Sequence, residues 1–165
     1  MKKLLTLVLL AVLCMTLASP ALAAKAALSS TKSFLDMMEL RGYTCENYGL
    51  DEEGDEMVLL RNPDSDIPYS IVLFFDSDLQ HTTIFVWNVI DFDPEDTLRV
   101  MLMCNKLNYT YNTICWYVDE SDYSVTCSVN LIYRDDNVGL VNAEAVAGIV
   151  TILRDAYPRL SVYAK

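Results

Sequence analysis

Histidine is nearly absent from this chain. His81 is the only imidazole among 165 residues, and no Gly-x-Ser-x-Gly turn accompanies it, so neither a thiol nor a hydroxyl nucleophile has a recognisable base. Glycine is scarce as well, at 5 residues, and no glycine-rich phosphate loop can be drawn from them. No Cys-x-x-Cys occurs, which together with the lone histidine excludes a zinc cluster and a thioredoxin-like pair. No cofactor motif is found. Positive charge is the remaining deficit: 12 basic residues face 23 acidic ones, for a net charge of −11. Binding a polyanion needs the opposite sign, so nucleic acid is excluded as a partner and docking on anionic lipid is disfavoured. Repeats, long linkers and low-complexity tracts are missing too, which leaves one ordinary domain.

What the chain does have begins at its first residue. Lys2-Lys3, the apolar run from Leu4 to Leu17 and Ala21-Leu22-Ala23 have the three-part layout of a cleavable secretory signal. The run is short for a membrane span, and Leu13 before Cys14 is unlike the small residue that precedes a lipid-modified cysteine. Residues 1–23 are therefore read as a signal peptide and 24–165 as the mature domain. That makes the protein secreted or extracytoplasmic, in the cell envelope, with no stable membrane span after cleavage. The mature chain keeps 10 basic and 23 acidic residues, a net charge of −13. It also keeps Cys45, Cys104, Cys115 and Cys127, an even number that admits two disulfides in three connectivities.

Ser29, Ser30 or Thr31 can cap a first helix carrying Phe34, Leu35, Met37 and Met38 on one side, with Gly42 as its C-terminal cap. Strand patterns follow at 43–48, 56–61, 69–75 and 82–90, an antiparallel meander. Asp93-Pro94-Glu95-Asp96 starts a second helix running to about Leu107. Residues 112–118 and 123–133 read as a hairpin. Pairing Val118 with Tyr123 aligns Trp116 with Val125 and Ile114 with Cys127, and points Cys115 to the other face, so Cys115 and Cys127 are not expected to bond to each other. Asn142 opens a last helix that Pro158 stops. The order α-β-β-β-β-α-β-β-α is that of an α+β fold, an antiparallel sheet with helices packed on it.

Within that order, Leu102-Met103-Cys104-Asn105-Lys106-Leu107-Asn108, then Cys115-Trp116-Tyr117-Val118-Asp119-Glu120, and the alternating strand 124–131 resemble the YbjN-like family over nearly the whole mature chain. The resemblance implies a bacterial protein with a fold similar to the type III secretion chaperones, small α+β proteins that dimerise and hold partner polypeptides extended. It also implies a sensory or regulatory role, as described for some members, and brings no catalytic residues with it.

Asp51-Glu52-Glu53-Gly54-Asp55-Glu56 is the densest acidic run, but its glycine stands fourth and not sixth, unlike a calcium loop. It reads as a solvated turn, as do the acidic runs at 64–66, 76–78, 91–96 and 119–122. Asn108-Tyr109-Thr110 matches a glycan acceptor. On the central strands, Tyr69, Ile71, Leu73 and Phe75 alternate with Val72 and Phe74, and Phe85, Trp87 and Val89 with Ile84, Val86 and Ile90. Both faces are therefore apolar and both need cover. The expected function is binding of a protein or peptide partner, or of a second copy as a homodimer, without chemistry. Phe74, Phe85, Trp87 and Trp116 are its candidate contact residues. The alternatives are a cell-envelope hydrolase or carbohydrate-binding protein using turn carboxylates and aromatics, and a purely structural subunit.

Overall fold

The computed structural model describes residues 25–61, 67, 69–77 and 80–165, so the expected signal peptide lies outside the described residues. Its elements are α1 (Ser29–Leu40), β1 (Glu46–Leu50), β2 (Glu56–Arg61), β3 (Ser70–Phe75), β4 (His81–Asp91), a 3-10 turn (Pro94–Asp96), α2 (Thr97–Thr110), β5 (Cys115–Asp119), β6 (Ser124–Ile132) and α3 (Val138–Leu160). This is the predicted α+β order. The first four strands form the meander, and the hairpin joins through β6, giving the antiparallel order β1-β2-β3-β4-β6-β5. Among the described residues, no helix is long and apolar enough to cross a membrane.

Helix ends show where local sequence decides and where it does not. Gly42, at φ +80, closes α1 in a Schellman turn, with Tyr43 N–H donating to Met38 O and Gly42 N–H to Glu39 O, both at 2.9 Å. The other end of α1 departs from expectation. Leu28 is the N-cap residue and no side chain of the helix caps it. The acceptor comes from β2 instead: Glu56 Oε1 takes Ala27 N–H and Oε2 takes Leu28 N–H, each at 2.8 Å. α3 starts at Val138, four residues before Asn142, which is fully buried inside the helix and donates to Val138 O. Pro158 sits in the last turn, and the helix continues to Leu160 because that leucine is fully buried in the core.

Cross-strand pairing fixes which side chains share a face. Val58, Leu60, Ile71, Leu73, Ile84 and Val86 point to one side and join Phe34 and Met38 of α1, Cys104 and Leu107 of α2, and Ile149 and Leu153 of α3 in one core. All three helices thus contribute to the same core. Two details differ from the sequence reading. In the hairpin, Val118 faces Val125 and Trp116 faces Cys127, two residues along from the expected pairing. Tyr123 belongs to the turn, at φ +58; its carbonyl accepts Phe92 N–H at 2.9 Å and its ring meets Phe92 edge-on at 6.2 Å. A shift of two preserves faces, so Trp116 and Cys127 point into the core and Cys115 points away. The second difference lies in β4, where Val86 pairs with Cys127 and Ile90 with Val125, so four steps of β4 oppose two of β6. Asn88, at φ +51, takes up the excess, and Val89 turns into the core instead of sharing a face with Trp87.

Candidate functional site

The opposite face of the sheet is read from the same registers. Leu59 pairs with Val72, Val72 with Phe85, Met57 with Phe74, and Ser70 with Trp87. Every buried apolar residue of the three helices belongs to the helix-side core, whereas Met57, Leu59, Val72, Phe74, Phe85 and Trp87 neither belong to it nor pack against it. Those six side chains make a second, separate apolar surface. Its centre is a contact of three rings: Phe74 to Phe85 at 6.0 Å, Phe74 to Trp87 at 6.2 Å, and Phe85 stacked on Trp87 at 5.7 Å and 22°. Val72 beneath them is only 4% exposed, while Trp87 above is 44% exposed. Single exposed apolar residues are ordinary on a protein surface; a contiguous aromatic patch is not.

Three of the four residues singled out in the sequence, Phe74, Phe85 and Trp87, therefore meet on this face. Trp116 does not. It is 2% exposed on the helix side, because it pairs with Cys127 and shares that residue's orientation. Its parity with Val118, which packs against the core, was the available signal.

Both edges of the sheet are obstructed, whereas on the face Trp87 is exposed and Phe74 and Phe85 are half-buried. On β5, Asn108 of α2 imitates a neighbouring strand, its Nδ2 donating to Trp116 O at 2.9 Å and its Oδ1 accepting Trp116 N–H at 2.7 Å. The nitrogen that a glycan would require is thereby engaged. On β1 the register breaks between Asn47 and Gly49, with Gly49 at φ +83, and a short bulged edge pairs poorly with another strand. Beside it, Glu46 accepts Arg61 Nε at 2.7 Å and the Tyr48 hydroxyl at 2.9 Å. The hydrogen bond from Arg61, then that from Tyr48, hold the Glu46 carboxyl below its ordinary value.

The remaining candidates lie away from the contact of three rings. His81 is half-buried at the start of β4, and its carbonyl accepts Tyr133 Oη at 3.1 Å and Asp76 N–H at 3.2 Å. In the densest acidic run, Asp51 Oδ1 accepts Glu53 N–H and Asp55 N–H, tying its own turn. Glu56 breaks the solvated reading, since it is fully buried under the start of α1. On the helix side, a cleft of about 550 Å3 opens between α1 and α3, floored by Leu60, Ile71 and Val146 with Arg41 and Arg154 in its walls, and no carboxylate is among the described wall residues. Among the described residues, no three His, Cys, Asp or Glu side chains converge as a metal site. Compared with protein families, curated proteins and solved structures, the chain matches none.

Proposed function

We propose that this is an exported, YbjN-like binding protein that holds a protein or peptide partner against the open face of its sheet, in a chaperone-like or regulatory role and without chemistry of its own. The contact of Phe74, Phe85 and Trp87 outside the helix-side core carries the reading. Rigid aromatics supply large contact area at little entropic cost, which is why they dominate interfaces. The cleft supports the same reading over a two-carboxylate hydrolase, because its walls hold arginines where such an enzyme needs converging acids. A second copy of the chain would cover the same face. Each mature copy carries −13, which opposes that pairing, so a different polypeptide is the preferred occupant.

Trp87→Glu in the mature chain tests this. The variant is expected to lower the urea midpoint only modestly, but to lose binding of an apolar dye and of unfolded apolar peptides. Light scattering at micromolar concentration separates a heterologous partner from a dimer. Peptide binding and dye binding unchanged by the substitution would refute the proposed face.

A further inference from the structure

Resting on that reading, we infer that the occupant of the open face is an extended segment with apolar residues at one end and a lysine or arginine at the other. The face changes character along β6. Ser128, at one end, is flanked by Phe85 and Cys115, whereas Ser124, at the other, is flanked by Asp91 and Asp119. Ile90 and Val118 point to the core side, so their neighbours Asp91 and Asp119 share the open face, and both are exposed. Asp122 adds a third carboxylate beside the bulge, 3.5 Å from Asn88 Nδ2. The hydrogen bonds from the Ser121 hydroxyl and N–H hold the Asp119 carboxyl below its ordinary value, so that group is charged at neutral pH.

A second observation makes this row more than an acidic cluster. Between the two aspartates, Ser124 is 1% exposed and its buried hydroxyl has no hydrogen-bond partner. It alternates with core-facing Val125, so it points to the open face. A hydroxyl acceptor between two carboxylates suits a cationic hydrogen-bond donor, and an unmet buried polar group calls for a partner. Trp87 at 44% and Tyr117 at 37% exposure lie between this row and the Phe74–Phe85 contact, and aromatic rings attract cations. From Ser128 to Ser124 a strand advances about 13 Å. One extended segment of about five residues thus reaches from the aromatic patch to the acidic row.

The test uses the mature protein and three dye-labelled synthetic peptides read by anisotropy. Each has the same alternating apolar stretch, closed by two lysines, two glutamines or two glutamates. The lysine peptide is expected to bind about tenfold more tightly than the glutamine peptide at low salt, and the glutamate peptide more weakly than either; the preference should shrink with added salt. Asp91→Asn combined with Asp119→Asn should abolish the preference while leaving glutamine-peptide binding in place, and Asp91→Asn alone should halve it or more if the double variant folds poorly. Trp87→Ala should weaken all three. Equal affinity for the lysine and glutamine peptides overturns the cationic subsite but leaves the face intact. A lysine preference that survives Trp87→Ala with no loss of affinity overturns both, since the basic peptide would then be held elsewhere on an acidic surface.

Discussion

Replacing Glu56 is expected to remove more stability than replacing any of the other acids in its run, although nothing in the local sequence distinguishes it. Its carboxylate is fully buried and accepts three hydrogen bonds: Ala27 N–H and Leu28 N–H at 2.8 Å and Asn47 Nδ2 at 2.7 Å. Two of those donors are backbone groups at the start of α1, where the helix dipole also favours negative charge. Glutamine is nearly the same size but offers one oxygen, so one backbone N–H is left facing an amide nitrogen. An unmet buried donor costs about 1–3 kcal/mol, and loss of the charge at the helix end adds about 0.3–1 kcal/mol. Glu56→Gln should therefore cost roughly 1–4 kcal/mol, and Glu56→Ala, which orphans all three donors, about 3–5 kcal/mol.

The pH dependence distinguishes this from a packing defect. Desolvation pushes the Glu56 carboxyl up, but the hydrogen bonds from Asn47 and from the Leu28 and Ala27 N–H groups outweigh it, and the folded value lies below the ordinary one. A lowered folded value means that the contribution is complete above the ordinary glutamate range and is lost as pH falls through the folded value. Urea unfolding of wild type and Glu56→Gln, compared at neutral and at acid pH, should show a difference that narrows on acidification. A Glu56→Gln protein as stable as wild type at neutral pH, or a gap that does not change with pH, would refute the capping role.

Two further outcomes are expected. Alanine normally favours a helix over glycine by about 1 kcal/mol, yet Gly139→Ala should destabilise by roughly 1–3 kcal/mol, because its Cβ would lie 2.5 Å from the Ser33 carbonyl oxygen where α1 crosses α3. Gly148→Ala on the same helix, with nothing within 4 Å, should instead stabilise; thermal unfolding that gives both the same sign would contradict the crossing. In a thiol-reagent time course on the native mature chain, Cys115 should react first, being exposed, and Cys45 later; Cys104 and Cys127 should react only on unfolding. Burial pushes the Cys45 and Cys104 thiols up to about 11 and Cys127 higher still, so failure of Cys115 to lead would contradict its placement on the open face.

How far the sequence reaches is clearest on β3 and β4. Alternation separated Ile71, Leu73 and Phe75 from Val72 and Phe74 correctly, because period-two orientation is a local property of an extended chain. The same rule failed at Val89, where Asn88 in a left-handed conformation inserts the bulge that resets parity; no residue pattern announced it. The turn at Tyr123, which answers to Phe92 just past the end of β4, moved the hairpin pairing by two residues, yet Trp116 kept the face it shares with Val118; its contact role failed because that face is the one the helices cover. Glu56 was unreadable for the same reason: its partners lie 28 and 29 residues away, beyond any local signal. Which apolar face stays open was likewise undecidable from periodicity, because both read alike. The middle helix decides it. Asn108 clamps α2 to the Trp116 backbone, and Cys104 and Leu107 then point to the face already occupied by α1 and α3. With α2 joined to α1 and α3 on one side of the sheet, Phe74, Phe85 and Trp87 lie on the other.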